Sequence, residues 1–131
     1  MIHISSRIGK DRYKVDIKSP SGNTVIADEP ASVGGQDLGF SPRELLVASL
    51  AACTSATLRM YADHKGWDLQ TVELEMDLER DDASNRTQII RNLKLTGTLD
   101  ETQRARLLAV ANSCPVHKIL SNPIDIETVL V

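Results

Sequence analysis

Aromatic side chains are scarce in this sequence of 131 residues, because Phe, Trp and Tyr together make up only 3% of it. So few rings cannot supply the stacking platforms that bind single-stranded nucleic acid or sugar rings. Basic residues are also too few and too scattered to form a stripe, since 15 Lys and Arg stand against 18 Asp and Glu. A phosphate backbone needs such a stripe. The composition therefore predicts no nucleic-acid partner.

Long hydrophobic runs are missing as well. The longest nearly uncharged stretch, Leu45 to Met60, contains Arg59 and is shorter than the roughly 18 to 20 apolar residues of a spanning helix. The first residues have no apolar run behind their basic residues, as a secretory signal would. We therefore expect no membrane passage and a cytoplasmic protein. At this length one core suffices, so residues 1–131 are expected to form a single domain.

Cysteine is limited to Cys53 and Cys114. Two cysteines are too few for a disulfide scaffold, and in a cytosolic chain such a pair is more often catalytic, redox-active or buried. Their wide separation excludes a CxxC pair, which makes a general disulfide oxidoreductase the weaker reading. His117 has Cys-x-x-His spacing with Cys114, but zinc needs further ligands, and His64 or His3 would complete the site poorly. We expect no metal.

The order of the predicted elements, ββ-α-ββ-α-β, indicates a segregated α+β fold. Alternating hydrophobicity predicts the strands, and capping signals predict the helices. The elements are a hairpin of strands 12–18 and 24–27, a loop over 28–40, a helix over 41–65, a hairpin of strands 71–80 and 87–98, a helix over 100–113, one short helical turn over 115–120 and a final strand over 124–130.

The first helix has the clearest signals. Ser41 can cap it, Pro42 suits its first position, and Glu44 completes a Ser-x-x-Glu capping box, while Gly66 predicts its end. Between residues 45 and 52 the helix is apolar on all sides apart from one serine, and such a helix is usually buried on all sides. A domain of this size seldom encloses a helix so fully. We therefore expect a second subunit to cover one face.

The two cysteines differ in their local setting. Pro115 follows Cys114 and suits a first helical position, so Cys114 can be the N-cap of a short helix, where free N–H groups and the helix dipole stabilise a thiolate. Cys53 lies inside the apolar helix, about 18 Å from its N-terminus, where the dipole effect has faded. A free cysteine there can pack as a small hydrophobe. The residues alone thus favour Cys114 as the more acidic thiol.

Two separate motifs carry a resemblance to a known family. They are Gly34-Gly35-x-Asp37-x-Gly39-Phe40-Ser41-Pro42-x-Glu44-Leu45-Leu46, continuing through Ala51-Ala52-Cys53-Thr54, and Cys114-Pro115-Val116-His117-Lys118. The sequence resembles the OsmC/Ohr superfamily from Ala27 to its C-terminus. The resemblance implies an OsmC-like α+β fold, in which a long central helix and a second helix pack on antiparallel sheet, and an intertwined homodimer.

The resemblance also implies a thiol peroxidase without haem, metal or flavin. In such enzymes the helix cysteine, here Cys53, attacks a small hydroperoxide and becomes a sulfenic acid. The second cysteine, here Cys114, condenses with it to a disulfide. An external dithiol, dihydrolipoyl protein in the best-known branch, then reopens this disulfide. The residues alone favour Cys114 as the more reactive thiol, whereas the resemblance makes Cys53 the thiol that attacks the peroxide.

The family also uses an arginine from the N-terminal strands and a glutamate at the start of the central helix. By this resemblance Arg12 is assigned in preference to Arg7, and Glu44 is the acid. The peroxidase branch has its glutamate ten positions before the cysteine, where this chain has Arg43. Glu44 is nine positions before Cys53, on the opposite helix face and about 13 Å along the axis. Cys53 would therefore have to receive Glu44 from a partner subunit. The alternative role of Glu44 is to form half of the capping box.

Two classes of function remain open. The first is a hydroperoxide reductase that acts on organic peroxides, because the aliphatic helix around Cys53 would line an apolar pocket. The second is a non-enzymatic dimer that binds an apolar or thiol-reactive small molecule between its subunits, with cysteines that are buried or only sense redox state. The first is the leading hypothesis, and the departure at Arg43 keeps the second open.

Overall fold

The structure, a computed structural model, describes residues 1–131. It contains two compact units, residues 1–48 and residues 49–131. The elements are β1 (Ser5–Arg7), β2 (Val15–Lys18), β3 (Thr24–Ala27), α1 (Pro42–Lys65), β4 (Asp68–Asp81), β5 (Arg86–Thr98), α2 (Glu101–Ala111) and α3 (Pro115–Leu120). Helix α1 begins in the first unit and ends in the second. The predicted α+β class is confirmed.

The first unit is a three-stranded antiparallel sheet in the order β1-β2-β3. The hairpin of β2 and β3 is predicted correctly, but β2 begins at Val15 rather than Arg12. The backbone N–H of Tyr13 donates to the Asp28 carboxylate, at 2.9 Å, instead of to a neighbouring strand. Strand β1 escapes prediction because its three residues, Ser-Ser-Arg, are all exposed and show no apolar alternation.

Asp28 organises the loop that follows β3. Its side chain is buried, and its carboxylate accepts the backbone N–H groups of Tyr13, Glu29, Gln36 and Leu38 at 2.7–3.3 Å. Burial favours the neutral acid, but the four N–H donors favour the carboxylate and hold the pKa of Asp28 below its ordinary value. The predicted long loop is therefore tied to one buried charge.

The N-terminus of α1 has the predicted capping box. The backbone N–H of Ser41 donates to Glu44 Oε1 at 2.8 Å, and the N–H of Glu44 donates to Ser41 Oγ at 3.3 Å. The backbone N–H and the side-chain hydroxyl of Ser41 hold the pKa of the Glu44 carboxyl below its usual value. The helix begins at Pro42 and ends before Gly66, whose φ of +69° suits a glycine.

The buried side chains of α1 form a single stripe within this chain. Leu50, Thr54, Leu58 and Ala62 recur every four residues, while Met60 is 69% exposed. The single chain therefore does not bury this helix on all sides, and the cover of one face by a second subunit stays a prediction. By length and composition alone α1 could cross a membrane, but the core helix of a soluble protein passes the same test, so this is weak evidence.

The second unit is built on the antiparallel hairpin of β4 and β5. The inward side chains of β4 are half-buried and alternate with exposed acidic residues, as predicted. At the bulge near the start of β4, Gly97 has a φ of +134° and lies against Asp68 so closely that a Cβ would be 1.9 Å from its carbonyl oxygen. The core of this unit combines residues from α1, β4 and α2, namely Leu58, Ala62, Leu69, Leu107 and Ala111.

In the C-terminal part both predicted helices are confirmed, and the predicted final strand is wrong. Asp100 caps α2 through a box with Gln103, as predicted. No strand forms over residues 124–130, where Ile126 is 85% exposed. Alternating apolar residues make a strand only when their backbone groups pair with another strand, and this chain does not bring one to them.

Candidate active site

The structure brings Cys53 and Cys114 together. Cys53 lies on α1, is half-buried, and has its Sγ 3.9 Å from Thr57 Oγ1. Cys114 immediately precedes α3 and is 0% exposed; its Sγ lies 3.8 Å from Oγ1 of Thr54, the residue that follows Cys53, and the Cys53 side chain is close enough to lower the pKa of Cys114. Both are free thiols. Residues 61 positions apart in sequence therefore form one pair of sulfurs, as a two-cysteine cycle requires.

Cys114 is the N-cap of α3, as predicted. Its backbone is extended (φ −65°, ψ 151°), Pro115 occupies the first turn, and its Sγ accepts the backbone N–H of His117 at 3.4 Å. This N–H is one of the donors that the first turn of a helix cannot satisfy internally. The sulfur of Cys114 thus fills the place that a serine or aspartate oxygen takes in most N-caps.

Arg91 on β5 connects the elements around this sulfur. Its Nη1 donates to Thr54 Oγ1 at 2.9 Å, and its Nη2 lies 3.1 Å from Asn112 Oδ1 and 3.0 Å from His117 Nδ1. A guanidinium only donates hydrogen bonds, so Nδ1 of His117 is the acceptor in this contact. We call Arg91, Thr54, Asn112 and His117 the Arg91 cluster.

Thr54 is the member of the Arg91 cluster that reaches the sulfur. It is fully buried, its hydroxyl donates to the carbonyl oxygen of Leu50 at 2.7 Å, and its Oγ1 lies 3.8 Å from Cys114 Sγ. The hydroxyl has one proton and two acceptor sites. When Cys114 is a thiol, its S–H can donate to Thr54; when it is a thiolate, the hydroxyl can turn and donate to the sulfur.

Opposing effects act on the Cys114 thiol. Burial favours its neutral form. The N–H of His117, the hydroxyl of Thr54 and the thiol of Cys53 favour the thiolate as hydrogen-bond donors, and the charge of Arg91 favours it through space. Together they hold the pKa of Cys114 below its ordinary value. The geometry therefore supports the expectation, made from the residues alone, that Cys114 is an acidic thiol.

The other predicted site residues lie in the first unit, whereas both cysteines lie in the second. Glu44 is engaged in its capping box, so the alternative structural role is confirmed for it. Arg12 precedes β2, and its backbone carbonyl accepts from Gln36 Nε2 at 3.4 Å. Arg7 ends β1. Catalytic roles for Glu44 and Arg12 stay predictions.

The sequence analysis missed Arg91, although a signal was present. The half-buried positions of β5 recur at every second residue, and Arg91 stands at one of them, between Ile89 and Leu93. A cation at an inward position needs a polar partner, because burying an unpaired charge is unfavourable. No group of three or more His, Cys, Asp or Glu side chains is placed to hold a metal ion.

Comparison with known proteins gives a family and a fold. The family model described as OsmC-like protein matches residues 34–129. A comparison with curated protein sequences finds no match. The solved structures similar to this chain include three bacterial proteins, each under 25% identical, so the likeness shows the fold alone.

The first two of these structures have the higher TM-scores. A Psychrobacter arcticus 273-4 protein, named for osmotic stress induction and a detoxification response, has a TM-score of 0.79 and 23% identity over 91% of this chain and 88% of that chain. The OsmC-like protein of Mycoplasma pneumoniae has a TM-score of 0.77 and 21% identity over 92% and 86%. The organic hydroperoxide resistance protein OhrB of Bacillus subtilis has a TM-score of 0.63 and 23% identity over 95% and 93%.

Proposed function

Because the chain belongs to the OsmC-like protein family, we propose that it is a cysteine-based peroxidase that reduces organic hydroperoxides through Cys53 and Cys114. The observation that carries the proposal is the proximity of the two thiols: Cys114, the N-cap of α3, lies 3.8 Å from the hydroxyl of Thr54, which follows Cys53 in α1. The similar fold of a Bacillus subtilis protein named for organic hydroperoxide resistance supports it.

The first step takes place at Cys53, which is the more accessible of the two sulfurs. The Cys53 thiolate attacks the outer peroxide oxygen, the O–O bond breaks, and the departing alkoxide takes a proton from solvent to become the alcohol. Cys53 is oxidised to sulfenic acid.

The second step closes the cycle. Cys114 attacks the sulfur of the Cys53 sulfenic acid, an S–S bond forms, and hydroxide leaves as water with the Cys114 proton. The Arg91 cluster favours the attacking thiolate of Cys114. A resolving thiol already in contact reaches the sulfenic acid before a second peroxide does, which prevents irreversible oxidation. An external dithiol then reduces the disulfide, with no cofactor or metal involved.

The proposal includes a homodimer. Large apolar side chains of the single chain stay exposed on its helices, among them Met60 on α1, Leu108 on α2 and Ile119 on α3. Covering such side chains with a second copy would remove apolar surface from water. In this arrangement Glu44 and Arg12 of a second copy would be the groups that activate Cys53.

Peroxide consumption by single-cysteine variants tests the proposal. With tert-butyl hydroperoxide as substrate and dihydrolipoamide, dithiothreitol or thioredoxin as reductant, Cys53→Ser abolishes consumption. Cys114→Ser keeps the first turnover but accumulates sulfenic acid, which excess peroxide converts to sulfinic acid, a mass gain of two oxygens. The control Ala56→Ser introduces a serine at an exposed position of the same helix and leaves consumption unchanged.

Three outcomes distinguish the alternatives. If peroxide first oxidises Cys114, the roles of the two thiols are exchanged. If hydrogen peroxide is consumed as fast as the organic peroxide, the substrate class is wrong. If the wild-type rate is negligible with every reductant, the non-enzymatic dimer that binds a small molecule becomes the better account.

A further inference from the structure

The two sulfurs of the candidate site are unequal in access. Cys114 is 0% exposed, whereas Cys53 is half-buried. Reduction of a disulfide between them begins when an external thiolate attacks one sulfur and expels the other. Which sulfur is attacked depends on access and on which thiol leaves more readily as a thiolate. In this structure both factors favour attack on Cys53.

We infer that Arg91 is a positioning residue that acts through Thr54 to make Cys114 the leaving group, so that the reducing dithiol attacks Cys53. This inference rests on the proposed two-cysteine cycle and adds a direction to its reductive half. It also gives a role to a cation that lies outside both cysteine motifs.

Access favours attack on Cys53. The sulfur of Cys114 is enclosed by the first turn of α3 on one side, through the His117 N–H, and by Thr54 of α1 on another. A thiolate that attacks this sulfur would have to displace one of these groups. Cys53 keeps part of its surface open in the chain, and its Sγ lies 3.9 Å from Oγ1 of Thr57 on the same helix.

Stabilisation of the departing thiolate also favours this direction. As the S–S bond breaks, negative charge develops on Cys114, where the His117 N–H and the Thr54 hydroxyl are placed to donate. Arg91 supplies positive charge and holds Thr54 at 2.9 Å. Its second nitrogen, which contacts Asn112 and His117, fixes the guanidinium against two further elements. The His117 N–H already points at the sulfur and needs no rearrangement as the charge appears, and only the Thr54 proton has to turn from the Leu50 carbonyl to donate.

The proposed reduction is balanced. A thiolate of the dithiol attacks Cys53, a mixed disulfide forms, and Cys114 leaves as a thiolate. The second thiol of the reductant then loses its proton and attacks the reductant's first sulfur, which is bonded to Cys53 in the mixed disulfide. Cys53 is released as a thiolate. The protein disulfide gains two electrons, the dithiol becomes a cyclic disulfide, and its two protons end on the protein thiols or in solvent.

Trapping the mixed disulfide tests the direction without peroxide. The wild-type protein is oxidised with diamide to the intramolecular disulfide, which intact mass verifies, and treated briefly with glutathione, a monothiol. After acid quenching, the free thiol is alkylated and the peptides are mapped. We expect glutathione on Cys53 and the alkyl group on Cys114. The reverse pattern would overturn the inference while leaving the two-cysteine cycle intact.

Variants of Arg91 test its role. Arg91→Met weakens the leaving group, so we expect the diamide-formed disulfide to be reduced by dithiothreitol about tenfold more slowly. Arg91→Lys, which keeps the charge, restores part of the rate. The control is Arg104→Met. It removes a guanidinium of α2 that donates to the carbonyl oxygen of Leu95, which is on β5 like Arg91, and it leaves the rate unchanged. Equal rates for Arg91→Met and Arg104→Met would refute the role of Arg91.

A spectroscopic measurement separates this role from a structural one. In the Cys53→Ser background, thiolate absorbance near 240 nm at neutral pH reports Cys114 alone, and adding Arg91→Met should lower it. The peptide mapping uses only wild-type protein, so it decides the direction of attack even if an Arg91 variant fails to fold. If diamide forms no intramolecular disulfide, the two-cysteine cycle and this inference both fail.

Discussion

Replacing Thr54 with valine should test how much the Arg91 cluster contributes to the fold. Valine has nearly the shape of threonine, so the fully buried position keeps its packing and loses only the hydroxyl. That hydroxyl accepts a hydrogen bond from the charged Nη1 of Arg91 at 2.9 Å and donates to the carbonyl of Leu50 at 2.7 Å. The substitution therefore removes one charge-assisted and one neutral hydrogen bond, together with the longer contact of 3.8 Å to Cys114 Sγ.

The magnitude follows from these two bonds. A hydrogen bond to a charged group contributes about 1.5–3 kcal/mol, and a neutral bond about 1 kcal/mol. Two compensations reduce the total. Arg91 is half-buried, so water can replace part of its lost bond, and the added methyl group is favourable at a buried site. We expect Thr54→Val to lower the free energy of unfolding by about 2 kcal/mol.

Urea unfolding, followed by circular dichroism, measures this loss. The control is Thr57→Val, the same substitution on the same helix at a half-buried position whose hydroxyl contacts Cys53 at 3.9 Å. We expect the control to change stability by less than about 0.5 kcal/mol. If Thr54→Val is no more destabilising than Thr57→Val, the hydroxyl does not anchor Arg91 and the reasoning is refuted.

Three further predictions concern the fold. Leu58→Ala, in the fully buried core, should destabilise by about 2–5 kcal/mol in urea unfolding; a loss under 1 kcal/mol, roughly, would mean that the core refills the cavity. Gly97→Ala should lower the melting temperature, because its Cβ would meet the Asp68 carbonyl at 1.9 Å, whereas the exposed Gly9→Ala control should not. Asp28 has a lowered pKa when folded, so its stabilisation is complete above the ordinary aspartate pKa and is lost as pH falls through the folded value; acid titration should show a smaller loss of stability in Asp28→Asn than in wild type, the remainder coming from other carboxyls with a lowered pKa such as Glu44.

Local signals were sufficient for much of the fold. The capping box of Ser41 and Glu44 predicted the start of α1, and Gly66 predicted its end. Cys114 was predicted as an N-cap from the proline that follows it. In each case the residues that form the interaction are within four positions of one another, so the sequence contains the whole interaction.

Features that depend on distant partners escaped prediction. Strand β1 has no hydrophobic pattern and exists because its backbone pairs with β2. The alternating residues 124–130 have the pattern but lack a strand to pair with. Asp28 was placed in a loop, but its role depends on N–H donors up to fifteen positions away. The local sequence pattern shows one partner of such an interaction but does not identify the distant residue with which it pairs.

The candidate site lies between these two cases. Each cysteine could be identified from its own motif, and the two come close because α1 packs against the start of α3 through Thr54 and Cys114. Arg91 stands at an inward position of a strand that the same alternation predicted. An inward cation must be matched by acceptors from other elements, and the structure supplies Thr54, Asn112 and His117. A charged residue that breaks the apolar face of a predicted strand therefore indicates a polar site in the core, and here that site surrounds the buried thiol.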